Sequence, residues 1–170
     1  VAIKVRAASV EPDSVGGKRF QREAGTIARL KNAHTVEVFD SGNDAGQLYI
    51  VMERLQGAAL DAILRKQYRL ETQQALTIAM QVLKSLEDAH MRGVIHRDIK
   101  PANVYILSGH GDPRVKVLDF GVARLLPQTG LRQTMLTRPG DITGTPGYLA
   151  PEQFRGVKTD ERADIYGVGA

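Results

Sequence analysis

The sequence predicts an α+β fold in two lobes: a small β-rich lobe over residues 1–53 and a larger, mainly helical lobe over residues 58–170, joined by a polar connector at 54–57. Three observations carry this. Short runs of β-forming residues separated by turn signals fill the first third of the chain. Helical spacing of apolar residues takes over from Leu60. The chain has 170 residues with 42% hydrophobic and 25% charged content, which is enough to bury a core.

Each element has a local reason. Residues 1–5 alternate apolar positions with Lys4 and read as a strand. Residues 12–31 read as a helix, with Phe20, Ala24, Ile27 and Leu30 on one stripe. Residues 36–40 and 48–52 are β-type runs, and the turn-rich residues 41–46 between them suggest a hairpin. After the connector a helix starts at Leu60. A second has Thr72 as a plausible N-cap, Leu76, Ala79, Leu83 and Leu86 at helical spacing, and Gly93 as its stop. Two more strand signals, residues 104–107 and 115–118, flank the turn-rich 108–113. The irregular stretch 121–150, rich in Thr, Gly and Pro, has the length of a functional loop.

Bulk composition narrows the function classes. Net charge is +4, but Lys and Arg are scattered, and no basic stripe with interleaved aromatics points to nucleic acid. There are no cysteines, so disulfides and thiolate–metal sites are excluded, which fits a reducing compartment. No apolar run reaches the ~20 residues that span a bilayer, and the first residues are not a signal peptide. A cytoplasmic location is expected. The chain starts in mid-strand and stops within a starting helix, so a piece of a longer protein is expected, one whose remainder could hold a membrane anchor.

The chemistry concentrates in residues 94–107. His96, Arg97, Asp98, Lys100 and Asn103 stand between Val94–Ile95 and the apolar run 104–107. Burying unpaired polar groups is costly, so these groups pair with one another or meet a polar ligand. A carboxylate and an amide oxygen, as in Asp98 and Asn103, suit a hard cation such as magnesium, or a base beside a metal ligand. Capping of local turns is the plainer alternative. Asp119, ending an apolar strand before Phe120-Gly121, is a further oxygen ligand or simply a turn residue. Lys4 reads either as an edge-strand lysine or as a buried partner. Glu23 lies along the stripe of Phe20, Ile27 and Leu30. Aimed inward it needs a cation, for which Lys4 is the candidate; at the stripe's edge it needs none.

Taken in order, VAIK at 1–4, Glu23, HRDIKPAN at 96–103, DFG at 119–121 and APE at 150–152 resemble the eukaryotic-type protein kinase family, over nearly the whole chain. Lys100 resembles the serine/threonine branch, and FQREAGTIARL and GTPGYLAPEQ are similar to its bacterial members. The resemblance implies a bilobal kinase-like fold, ATP and Mg2+ as cofactors, and protein serine or threonine hydroxyls as acceptors. The 170 residues would form a partial catalytic domain that ends at the start of the first helix after the APE segment.

By the same resemblance, Lys4 would hold the α- and β-phosphates and Glu23 would orient it. Asp98 would accept the substrate hydroxyl's hydrogen bond and act as base, Lys100 would steady the γ-phosphate, and Asn103 and Asp119 would hold magnesium. Ala2 would cover the adenine, with Tyr105 beneath it, bulkier than the usual residue. Met52 would guard the back of the pocket, and the backbone of Glu53 to Leu55 would read the adenine edge. Asp61 would meet the ribose or merely charge a helix start. His96 would pack under Phe120 rather than carry protons, and Asp164 would bond the loop backbone. Arg97 would receive a phosphate on Thr134 or Thr137, placed there through self-association; Thr143 is a further candidate, and Thr145 belongs with the base instead. The glycine-rich strand pair expected before residue 1 and the arginine partner of Glu152 lie outside the chain. The piece alone is therefore expected to fold marginally and bind ATP poorly, within an active parent. A pseudokinase scaffold is the alternative, and a small-molecule kinase of related fold a third.

Overall fold

The computed structural model describes residues 1–9, 20, 24–120, 146–155, 157 and 159–170. Strands β1 (Ala2–Ser9), β2 (Val38–Asp44) and β3 (Gln47–Met52) form an antiparallel sheet in the order β1-β3-β2. Strands β4 (Gly57–Ala59), β5 (Val104–Leu107) and β6 (Val115–Val117) form a second, in the order β4-β5-β6. Among the described residues, besides a helical stretch at 24–27, run the helices α1 (Leu60–Gln67), α2 (Thr72–Met91), α3 (Pro151–Phe154) and α4 (Arg162–Gly169).

The β2–β3 hairpin is tighter than the sequence implies. Its strands run on through Asp44 and from Gln47, leaving a two-residue turn with φ of 47° at Ala45 and 85° at Gly46. Asn43 Oδ1 accepts the Gly46 N–H at 2.9 Å. Positive φ at both turn residues matches the strand twist. The expected 36–40 strand is thereby displaced to begin at Val38.

Residues 24–27 are helical, and the expected stripe of Phe20, Ala24, Ile27 and Leu30 is buried. These residues share one apolar core with Ile50, Val82, Leu86, Val104, Val117 and Phe120, so both sheets pack on it.

Two details of α2 differ from expectation. Glu71, not Thr72, precedes the first turn, with no side-chain cap. The buried stripe is Ile78, Val82, Leu86 and Ala89 with Ser85, while Leu76 is 56% exposed. This helix carries apolar residues on more than one face, so periodicity alone leaves the inward face open. The face against β6 and the 34–36 backbone decides it: Ser85 Oγ and Thr35 Oγ1 share a buried hydrogen bond of 2.7 Å, and Gln81 bonds both Pro113 O and Val115 N–H.

Gly93 ends α2 as expected. Its φ is 71°, its N–H bonds His90 O, and the Val94 N–H bonds Ala89 O, the double closure that satisfies the last carbonyls. The chain leaves this cap pointed at residues 96–103. Gly57 opens β4, one residue short of the expected end of the connector. A Cβ there would lie 1.9 Å from Ile106 O, at a φ of 147°, so β4 can approach β5 only with glycine.

Candidate active site

The polar loop expected between two buried runs is held almost atom by atom. Asp164, on α4 and 1% exposed, accepts the backbone N–H of His96 at 2.8 Å and of Arg97 at 2.6 Å. His90 Nε2 lies 2.7 Å from the same carboxylate. Each bond to an ionised acceptor contributes about 1.5–3 kcal/mol in mutational terms. Here they offset the conformation of Arg97, whose φ of 65° costs a residue with a Cβ roughly 1–2 kcal/mol.

His96 is buried and ties this loop to the end of β6. Its Nε2 lies 2.7 Å from Leu118 O, a pure acceptor, so Nε2 carries the proton. Its Nδ1 then receives the Asp98 N–H at 3.3 Å. The ring packs on Phe120 with centroids 4.8 Å apart and planes tilted by 58°. Burial pushes its pKa below the usual histidine value, against the opposing pull of the Leu118 bond and nearby carboxylates. A neutral, fully bonded imidazole is a structural pillar between residues 96–98 and 118–120.

Asp98, Lys100 and Asn103 form one cluster. Lys100 Nζ lies 2.9 and 2.8 Å from the two oxygens of Asp98. Asn103 Nδ2 donates to Asp98 O at 2.7 Å and Oδ2 at 3.0 Å. Asn103 sits at the end of a single 3-10 turn, Pro101–Asn103, and its own carbonyl takes the Leu118 N–H. With its nitrogen committed to Asp98, the amide oxygen of Asn103 is the donor it has to offer a cation.

Lys4 and Asp119 come from opposite parts of the chain, 115 positions apart, yet Lys4 Nζ lies 2.6 Å from Asp119 Oδ2. The pair is part-exposed, at 49% and 30%. Asp119 has a φ of 59°, a left-handed turn that separates its carboxylate from the Phe120 ring packed on His96. Glu23, the sequence-expected partner of Lys4, lies outside the described residues, as do Gly121, Thr134, Thr137, Thr143 and Thr145.

Ala2 and Lys4 share one face of β1, and Ala2 stands opposite Met52 in the register. Beyond Met52 the chain passes through Glu53, Arg54 and Leu55 into β4. Tyr105, on β5, donates its hydroxyl to Gly57 O at 2.9 Å, where the connector enters β4. Asp61 lies in the first turn of α1, as the helix-start reading has it, and bonds Arg65 at 2.9 Å. Glu152 lies beside a cavity of about 460 Å³ with Arg155, Val157, Asp160, Arg162 and Tyr166. Within it Arg162 holds the Asp160 carboxyl below its usual range.

Two contributors escaped the sequence reading. Lys116, between the buried Val115 and Val117, sends its ammonium to Glu53 Oε1 at 2.6 Å and Thr35 O at 3.1 Å. Glu53 also takes the Glu37 N–H at 2.8 Å, so its carboxylate points back into the sheets and only its backbone borders the connector. A charged residue in the middle of a VKV strand was the available signal. Gln153 is the other: its amide takes the Ala150 N–H at 3.0 Å and donates to Arg97 O at 2.8 Å. An Ala-x-x-Gln segment resembles a helix-capping pattern, though without the usual hydroxyl at its head.

Among the described residues no group of three or more His, Asp or Glu side chains forms a metal centre, and no helix is long and apolar enough to cross a membrane. An amide oxygen and a single carboxylate suit magnesium, which keeps few protein ligands and completes its shell with water and phosphate.

Residues 1–170 match the family model for the protein kinase domain. The chain is 42% identical over 171 residues to the serine/threonine-protein kinase pkn3 of Myxococcus xanthus, covering 99% of this chain and 31% of that protein. It is 40% identical over 173 residues to the serine/threonine-protein kinase PknB of Mycobacterium leprae, covering 99% and 27% respectively. The chain thus spans about a third or less of the length of these curated relatives. Among solved structures, the kinase domain of Mycobacterium tuberculosis PknI superposes with a TM-score of 0.73 at 34% identity, covering 98% of this chain and 59% of that one.

Proposed function

This chain belongs to the protein kinase domain family, and on that premise we propose that the protein carrying it transfers the γ-phosphate of ATP to serine and threonine hydroxyls of other proteins. The observation that carries the reading is the contact of Lys4 Nζ with Asp119 Oδ2 at 2.6 Å. It brings a cation and an anion from distant segments to the place where His96 and Phe120 also join the Asp98 loop to the end of β6.

The proposed roles follow from chemistry. Lys4 supplies a point charge for the α- and β-phosphates. Glu23 orients it. Asp98 takes the hydrogen bond of the incoming hydroxyl and serves as its base, with Lys100 on both oxygens and Asn103 on one holding the carboxylate in place. Lys100, whose ammonium sits on the Asp98 carboxylate, serves the transferring phosphate. Asn103 and Asp119 would hold magnesium, which when bound neutralises charge on the phosphates. Ala2, Met52, Tyr105 and the backbone of Glu53 and Leu55 shape the adenine pocket. Arg97 is assigned to a phosphate on Thr134 or Thr137, added by a second copy of the protein. ATP as the donor and the lack of cysteine favour the cytoplasm for this domain.

The test uses the full-length protein with ATP and magnesium. Phosphoserine or phosphothreonine in protein is expected, and Asp98→Asn should lower kcat by roughly 10²–10⁴-fold. Nucleotide binding without transfer would favour a scaffold; phosphate moved only onto small molecules would point to the third class.

A further inference from the structure

The peptide unit that precedes Asp98 is gripped at both ends by groups outside it. Its carbonyl, on Arg97, accepts the Nε2–H of Gln153 at 2.8 Å. Its N–H, on Asp98, reaches His96 Nδ1 at 3.3 Å. Arg97 has a φ of 65°, a conformation disfavoured for any residue with a Cβ, so its carbonyl keeps this direction only if something holds it there. The orientation of that peptide plane sets the direction in which Asp98 projects its carboxylate.

Gln153 makes a second bond that a local cap alone requires. Its Oε1 accepts the Ala150 N–H at 3.0 Å, at the buried start of α3. Its Nε2 is spent on a carbonyl 56 positions away. Only an amide of this length offers both an acceptor and a donor; a carboxylate keeps the first and an ammonium the second.

We propose that Gln153 is a positioning residue for Asp98, and that through it the seating of α3 sets the aim of the Asp98 carboxylate. Helix α3 directly follows residues 121–150, which hold Thr134 and Thr137. A change in that stretch that moves the start of α3 therefore reaches Asp98 through a single side chain. The inference rests on the reading of Asp98 as the group that meets the substrate hydroxyl.

Two substitutions separate the bonds of Gln153. In the full-length protein, with casein as acceptor, Gln153→Glu keeps the bond to Ala150 and sets a carboxylate against Arg97 O. It should lower kcat about tenfold or more, with KM for ATP within about twofold of the parent, because the loss lies in aiming the acceptor group. Gln153→Lys keeps the donor to Arg97 O and should stay within about threefold in kcat. A side chain that only caps α3 gives the reverse order, and the reverse order, or equal rates for both variants, overturns the proposal. If thermal melting shows that Gln153→Glu does not fold, Gln153→Met takes its place: lacking both bonds, it must fall about tenfold while Gln153→Lys holds, and parental kcat in Gln153→Met overturns the proposal. An inactive parent would overturn the reading of Asp98 and this inference together, whereas an active parent with the reversed order overturns this inference alone.

Discussion

The loop from His96 to Asn103 and the strand carrying Lys4 meet at one site but are held by different means. In the loop, the N–H of residues 96, 97 and 98 each have a named acceptor, and the carbonyls of 97 and 98 each have a named donor. Asp164, which anchors it, is 1% exposed. Lys4, by contrast, ends a half-exposed side chain whose described partner is one carboxylate. Buried and multiply bonded groups resist displacement because removal of any one strands the others in a medium of low polarity. An exposed ion pair has water as an alternative partner and is worth about 0–1 kcal/mol. The loop is therefore built before any ligand arrives, whereas the position of Lys4 can follow the charge presented to it.

Three changes break or sharpen this contrast, and the largest effect belongs to the loop's anchor. Asp164→Ala leaves two backbone N–H groups without their acceptor and His90 without its partner. It should destabilise the domain by about 3–5 kcal/mol, read by urea unfolding of the full-length protein. A loss below about 1 kcal/mol would mean that the loop holds itself.

The pH dependence comes next. The folded pKa of His96 lies below its ordinary value of 6.5, so between those two values the unfolded chain binds a proton that the folded one refuses. Stability must then fall as pH drops below about 6.5, by up to ~1.4 kcal/mol per pH unit, and none of this contribution changes above that value. His96→Phe should remove this slope while keeping a ring against Phe120. Parallel pH–stability curves for the two proteins would contradict the burial argument.

Lys4→Met should give the smallest change in stability, under about 0.5 kcal/mol, because its ion pair is exposed. It should nonetheless abolish phosphoryl transfer. A large drop in melting temperature would show that Lys4 is a structural residue and would weaken the contrast.

Much of this was legible from local pattern. The stripe of Phe20, Ala24, Ile27 and Leu30, the end of α2 at Gly93, and the strands around residues 104–107 and 115–117 all follow from spacings of a few residues. The identities of Lys4, Asp98, Lys100, Asn103 and Asp119 were readable because their types occur in a specific order. The buried face of α2 was not readable, since Leu76 and Ile78 both satisfy a helical spacing and only contact with β6 selects between them. Nor were the bonds of Lys116 to Glu53 or of Gln153 to Arg97, because a residue's own neighbours in sequence do not say which partner 63 or 56 positions away it will meet.

By itself, the sequence determined roughly where most strands and helices lie and which chemical groups the chain carries, because side-chain direction repeats every two or 3.6 residues and needs no distant information. Only the tertiary structure decided which groups touch. The contacts that build the site join residues 56, 63, 67, 68 and 115 positions apart. Such pairings are selected by how two sheets and a shared core close on one another, a choice no short segment can make alone.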